Sequence, residues 1–231
     1  LRKPKSCKIM ENLTLIIPAK LEAESLPIFL KELAKYNCKK IIVLDKDDTS
    51  TINAIKEFTE VEILLQKQIG YGSALIEGVR ATKTENFCII NADGSMDPKY
   101  LEAMINELKN KDLVFATRYE KGGGSDDDDI ITFIGNKIFS LIGKIFFRLK
   151  ISDILFTYIL GNTNKFNSLN LKFSDFRICV EIPIKAKKKN LQYTSISSYE
   201  RSRIGGKKKV NALKDGFLIL TAMITLFFNN K

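Results

Sequence analysis

The stretch FCIINADGSMDP, Phe87 to Pro98, changes character halfway. Four apolar residues are followed by Asn91 and Asp93, two positions apart, and then by Gly94, Ser95, Asp97 and Pro98. The run reads as a buried strand that delivers polar side chains at its carboxyl end. A helix starts just beyond it, because Asp97 is a good N-cap and Pro98 a good first helical residue. Leu101, Met104, Ile105 and Leu108 then keep a helical period. Carboxylates delivered to such a point suit a divalent cation, yet the first of this pair is an amide.

The same alternation extends on both sides. Leu13 to Ile17 predicts a strand stopping at Pro18, and Leu26, Phe29, Leu30 and Leu33 a helix with Ser25 as its cap. Ile41 to Leu44 predicts a second strand ending at Asp45; Thr49 or Ser50 can cap the helix carrying Ile52, Ile55 and Phe58. Val61 to Leu65 reads as a third strand, and Gly70-Tyr71-Gly72 leads into a helix through Ala74, Leu75, Gly78 and Val79. Leu113 to Thr117 is a fifth strand. Strands apolar throughout, each followed by a helix, predict an α/β fold with a mostly parallel sheet covered on both faces. Ligands bind beyond the carboxyl ends of such strands, where Pro18, Asp45, Asn91, Asp93 and Arg118 all fall.

The second half is different. KGGGSDDDD, Lys121 to Asp129, precedes an apolar stretch from Ile130 to Leu160. Lys137, Lys144 and Arg148 recur there on one helical face, with Ile, Leu and Phe around the rest. Either this is a core helix with a solvated stripe or a helix lying in a membrane interface; the wide apolar arc and purely basic stripe favour the second. The four aspartates read as solvated helix-start residues. No uninterrupted apolar run reaches the ~20 residues of a spanning helix. The nearest, Phe217 to Phe228, would extend roughly 18 Å. No segment reads as a signal peptide, and a first residue of Leu is what a trimmed chain would show.

Composition bounds the chemistry. The 231 residues are 45% hydrophobic and 28% charged, enough for one large domain and too apolar for disorder. There is no histidine, so Ser-His-Asp triads and histidine metal sites are excluded. Cys7, Cys38, Cys88 and Cys179 are scattered, which fits reduced thiols in a cytoplasmic protein. The net charge is +10, and residues 181–231 hold 11 basic and 3 acidic side chains, a local balance of +8. That favours an anionic partner, such as phosphates or a membrane face. The lysines are not interleaved with stacking aromatics, so no nucleic-acid partner is expected.

Five motifs then carry a resemblance. IIPAKLEAESLP (Ile16 to Pro27), IIVLDKDDTS (Ile41 to Ser50), IGYGSALIEGVRAT (Ile69 to Thr82), INADGSMDP (Ile90 to Pro98) and FATRYEKGGG (Phe115 to Gly124) occur in order. Together they resemble glycosyltransferase family 2, on the branch of dolichyl- and polyprenyl-phosphate sugar synthases. The resemblance runs over residues 12 to 215 and is weaker toward its end. It implies the single-domain Rossmann-like (GT-A type) nucleotide-sugar transferase fold, with a nucleotide-sugar half to about residue 120 and an acceptor- or membrane-facing half beyond.

The resemblance also implies roles. Pro18 and Ala19 end the first strand where the nucleotide lies, Glu22 contacts the nucleoside, and Asp45 reads the base edge. Without it, Glu22 would read as an exposed helix-start residue and Asp45 as a turn residue. Gly70 and Gly72 would let the backbone approach the nucleotide. Asn91, Ala92 and Asp93 stand where the family usually has Asp-Ala-Asp beside the diphosphate, holding Mg²⁺ or Mn²⁺. An amide oxygen can still meet a hard cation, and its NH₂ can instead donate to a phosphate oxygen or sugar hydroxyl. Arg118 would face phosphate or acceptor. Arg203 and Lys209, in RIGGKKK (Arg203 to Lys209), would close over the diphosphate. Asp153 would serve as base if the acceptor is a hydroxyl; a lipid phosphate would need none. The family's acceptor-side Gly and Arg are missing from Phe156-Thr157-Tyr158-Ile159. The expectation is an inverting, metal-dependent transferase at the cytoplasmic membrane face, using a nucleotide sugar and a lipid-phosphate or glycan acceptor. The rivals are a relative in which Asn91 abolishes turnover, and a sugar nucleotidyltransferase. The second would need a Gly-rich triphosphate loop that IIPAKLEAES lacks.

Overall fold

Residues 10–206 and 208–229 are described by a computed structural model; Cys7 and Lys207 lie outside them. The first half alternates as β1 (Leu13–Ala19), α1 (Leu26–Leu33), β2 (Lys39–Leu44), α2 (Thr49–Ile55), β3 (Glu62–Leu65), α3 (Tyr71–Ala81), β4 (Asn86–Ile89), α4 (Leu101–Glu107) and β5 (Leu113–Thr117). A 3-10 turn, Pro98–Tyr100, leads into α4. The second half adds β6 (Gly124–Ser125), α5 (Ile130–Phe147), β7 (Ile159–Asn162), α6 (Thr163–Asn167), α7 (Ile178–Lys188), β8 (Tyr193–Ser197), β9 (Tyr199–Glu200) and α8 (Ala212–Phe228).

Seven strands form one sheet in the order β3-β2-β1-β4-β7-β5-β8, and β6 pairs with β9 in a small ribbon. β1 pairs in parallel with β2 on one side and β4 on the other. The chain therefore winds outward from β1 to β3 and then returns to β1's other edge. Such a reversal of winding opens a crevice at the strands' carboxyl ends, and the ends of β1, β2 and β4 deliver Pro18, Ala19, Asp45 and Asn91 to it. β7 is antiparallel to both β4 and β5, so β5 reaches the first four strands only through it.

Both sheet faces are buried. On one, Leu13, Leu15 and Ile17 pack with Phe29 and Leu30 of α1 and Met104 of α4. On the other, Ile16 and Val43 pack with Leu75 and Val79 of α3, and further along Ile182 of α7 and Met223 of α8 join the same core. Two caps differ from expectation. α2 is capped by Asp48, not Thr49 or Ser50: its carboxylate accepts from the Thr51 N–H, the Thr51 and Ser50 hydroxyls, and the Leu21 N–H at 2.5 Å. One carboxylate thus ties the loop after β1 to the helix after β2. Ser25 sits at the start of α1 without a capping bond and donates instead to the Glu22 carboxylate at 2.5 Å.

Gly78 of α3 shows how closely the helix lies on the sheet. A Cβ there would meet Ile16 Cγ2 at 2.4 Å and Val43 Cγ2 at 2.9 Å. Gly78→Val should lower stability by about 1–3 kcal/mol, read as a lower urea midpoint at unchanged m. A midpoint equal to wild type would mean that α3 and the sheet are not in this contact.

Candidate active site

Beyond the strand ends lies a cleft of about 600 Å³. Pro18, Ala19 and Glu22 line one wall together with Asp45, while Asn91, Ala92 and Asp93 lie at the end of β4. Gly70, Arg118, Arg203 and Lys209 also reach it. The structure brings together most of the residues expected from sequence. Two stand apart from the cleft lining, Gly72 and Asp153.

The loop after β4 is held from several directions. Asp93, 9% exposed, accepts through Oδ1 from both the N–H (3.0 Å) and the hydroxyl (2.8 Å) of Ser95. Among the described residues its Oδ2 takes no hydrogen bond, and the cation paired with it is Arg203, at 3.7 Å. Gly94 adopts a positive φ of 74°, and a Cβ there would strike Ile204 Cδ1 at 2.4 Å. The Ile204 N–H donates to the Asp93 carbonyl, and Arg201 bridges the Gly94 carbonyl to Glu32. The segment carrying Arg203 is therefore already folded over the Asp93 loop.

Glu22 is buried, 5% exposed, and pairs with Lys209 while accepting from Ser25. Reading it as an exposed helix-start residue is excluded. Arg203 forms a two-pronged pair with Asp127, at 3.0 and 2.7 Å, and Lys208 bonds the Asp127 carbonyl. Lys208 also lies 3.6 Å from Asp129. The aspartates are thus not simply solvated. Asp129 does cap α5, in a reciprocal capping box with Thr132, but Asp127 and Asp128 face the cleft's cations.

Arg118 does not present a free guanidinium to the cleft. Buried to 7% exposure, it binds both oxygens of Asp153 (2.7 and 3.2 Å), Glu200 (2.9 Å) and Asp128 (3.2 Å). Burial opposes its charge, but Asp153 and then Glu200 more than offset this, and its pKa stays above the ordinary value. Burial raises the Glu200 carboxyl, and Arg118 and Ser125 only partly counter it. Asp153, 0% exposed and outside the cleft lining, has both oxygens engaged by Arg118, which does not suit an accessible general base.

The glycines at the start of α3 serve packing. A Cβ on Gly70 (φ 137°) would lie 2.2 Å from the Ser174 carbonyl oxygen, and one on Gly72 would lie 2.2 Å from that of Phe173. Their close approach is to the segment before α7, although Gly70 also lines the cleft. That segment is fixed in turn by buried Glu181, which accepts from the Lys172 and Phe173 N–H groups and pairs with Lys185. Tyr71, between the two glycines, was not expected at the site. Its hydroxyl bonds Asn91 Oδ1 (3.1 Å) and Thr157 Oγ1 (2.5 Å), and burial drives its pKa well up, so it stays protonated. A Tyr next to Gly-rich turns carries no spacing signal that would have singled it out.

No group of three or more Cys, Asp or Glu side chains with metal-binding geometry occurs among the described residues. The cleft offers one open carboxylate oxygen, Asp93 Oδ2, beside an Asn91 amide whose oxygen already accepts from Tyr71. This set fits a hard cation that takes its remaining ligands from a phosphate substrate, as Mg²⁺ commonly does, and does not fit a cation held by protein alone.

Fold and cleft define a GT-A type nucleotide-sugar transferase architecture. The model of Glycosyl transferase family 2 matches residues 14–169, and the chain belongs to that family. Uncharacterized glycosyltransferases of Mycobacterium tuberculosis and Mycobacterium bovis are 35% identical over 115 residues, 49% of this chain and 51% of theirs. The match thus spans about half the length of those relatives. Among solved structures, glucosyl-3-phosphoglycerate synthase from M. tuberculosis, in complex with Mn²⁺, uridine diphosphate (UDP) and phosphoglyceric acid, superposes with a TM-score of 0.72. That match has 11% identity and covers 99% of this chain and 84% of that one. The same enzyme with Mg²⁺ and UDP gives 0.70 at 12% identity, covering 97% and 84%. At these identities the likeness is one of fold.

The Asp127 latch has a pH signature. Burial raises the Asp127 carboxyl, but the Arg203 bonds and charge, with Lys208, outweigh it and the net shift is downward. A carboxyl lowered by folding contributes stability that is present above its unfolded pKa and lost as pH falls through the folded one. Thermal unfolding of the wild type should therefore lose stability below about pH 4, and Asp127→Asn should lose less over that window. Parallel acid profiles would show that the pair is not formed in solution.

Proposed function

We propose that this protein is a metal-dependent, inverting glycosyltransferase that moves a sugar from a nucleotide-sugar donor to a membrane-borne acceptor, a lipid phosphate. The observation that carries the transfer reading is Asp93. A buried carboxylate has one oxygen fixed by Ser95 and the other open to the cleft, 3.7 Å from Arg203. Donor and cation follow by analogy with the fold neighbour that binds UDP with Mn²⁺ or Mg²⁺.

The cation, when bound, neutralises charge developing on the leaving nucleoside diphosphate. Pro18, Ala19, Glu22 and Asp45 line the cleft, and their side of it is the one we assign to the nucleoside. Asp93, through its open Oδ2, would hold the cation. Arg203, folded over the loop after β4, and Lys209, paired with Glu22 across the cleft lining, supply fixed positive charge there. The acceptor attacks the anomeric carbon from the face opposite the departing diphosphate, which inverts its configuration.

Two features favour a lipid phosphate over a hydroxyl acceptor such as the phosphoglycerate of the neighbour. Asp153, the carboxylate nominated as base, is sealed behind Arg118, and an acceptor that is already anionic needs none. Beside the cleft, α5 and α8 leave large apolar side chains outside: Ile131, Ile134, Leu141 and Phe146 on α5, Phe217 and Phe228 on α8. α5 buries only Ser140 and Gly143. It is the one helix among the described residues long and apolar enough to cross a membrane, with a mean hydropathy of 1.6 over its 18 residues. Exposed Lys144 and Arg148 lie along it, as an interfacial helix on anionic lipid requires. These features support a reading in which the protein works at the cytoplasmic membrane face.

Purified protein should release nucleoside diphosphate from nucleotide sugars in Mn²⁺, with Asp93→Ala at least ~100-fold slower. Equal rates for the two would defeat the transfer reading. The protein should also float with vesicles of phosphatidylglycerol and phosphatidylcholine, and Phe146→Ser/Phe217→Ser should stay at the bottom of the gradient. Wild type that remains unbound would leave a soluble acceptor as the correct reading.

A further inference from the structure

Asn91 stands where the family motif usually has a carboxylate, and its surroundings dictate how the amide is turned. Tyr71 opens α3 between two glycines pressed onto the Phe173 and Ser174 carbonyls. Its ring stacks on Phe176, with centroids 5.0 Å apart and 27° between the planes. The phenol oxygen therefore has one position. From there it donates to Asn91 Oδ1 at 3.1 Å and meets the Thr157 hydroxyl at 2.5 Å. The Asn91 backbone N–H is turned away, toward the Met96 sulfur at 3.3 Å. One lone pair of the amide oxygen is taken by Tyr71, and the NH₂ is the end without a protein partner. No acceptor takes that NH₂ among the described residues.

An aspartate here could accept the Tyr71 proton through one oxygen and offer the other to a cation. An amide held in the same way offers two N–H donors, which repel a cation and suit an oxyanion or hydroxyl. We propose that Asn91 binds the donor substrate directly, through its NH₂ to a phosphate or hydroxyl oxygen, and is not a metal ligand. Tyr71 and Thr157 are its positioning residues. Asp93 is then the one side chain of this motif that holds the cation. The proposal rests on the glycosyltransferase reading and adds a contact that works without metal.

The test measures binding of UDP, GDP, CDP and dTDP by calorimetry in EDTA and in Mn²⁺, with Mn²⁺ occupancy followed by electron paramagnetic resonance. For the diphosphate that binds wild type, Asn91→Ala should weaken binding in EDTA about tenfold, the loss expected of a hydrogen bond to a charged group. It should leave Mn²⁺ affinity of the nucleotide complex unchanged. Asn91→Asp should bind more weakly still in EDTA and recover in Mn²⁺, because the new carboxylate is a ligand. Tyr71→Phe should weaken binding in EDTA several-fold, and adding it to Asn91→Ala should cost nothing more. An Asn91→Ala protein that keeps its EDTA affinity but loses Mn²⁺ overturns the proposal and leaves the transferase reading intact. So does wild-type binding seen in Mn²⁺ alone. Absence of binding by all four diphosphates in either condition overturns both.

Discussion

A single guanidinium joins the parts of this molecule that lie far apart in sequence. Arg118, at the end of β5, holds Asp153 ahead of β7, Asp128 ahead of α5 and Glu200 in β9. It is also capped by the Phe156 ring, 4.6 Å away. A charge at this depth persists only when paired, and each buried carboxylate needs it equally. Because Asp128 is fixed, its neighbour Asp127 is fixed, and with it Arg203 over Asp93. The geometry of the cleft floor thus descends, through five ion pairs, from a side chain whose guanidinium is spent on carboxylates of its own chain.

The floor of the cleft was legible because its signals are local. An apolar run broken by a polar pair marks the end of β4 in twelve residues, and Pro18 and Asp45 mark β1 and β2 in the same way. The partners of those residues were not legible. Asp127 meets Arg203 across 76 positions and Arg118 meets Glu200 across 82, and charge pairing at that range leaves no spacing to read. The acidic run looked solvated for this reason, and Asp153 looked free to act as a base. Gly72 misled differently: a glycine reports that something comes close without saying what, and here it is the Phe173 carbonyl.

The second half also shows why an amphipathic pattern alone is ambiguous. The basic stripe of α5 lies among exposed apolar residues, while Ser140 and Gly143 are buried and Phe139, Ile142 and Phe147 pack partly buried against the core. Lys137 is drawn down onto the Tyr119 ring at 4.4 Å, beside the Tyr119–Asp128 hydrogen bond. The helix that faces outward is thereby anchored to the same ion-pair cluster that orders the cleft.

The inserted antiparallel strand has a consequence for how the chain is made. β5 emerges from a ribosome more than forty residues before β7, the strand that attaches it to β4. During that interval its edges are unsatisfied, and the half-sheet already formed has an open flank at β4. Long-range closure of this kind slows folding and exposes sticky intermediates. Cutting the polypeptide at the apparent midpoint would leave two fragments that each lack part of one shared sheet, rather than two working modules.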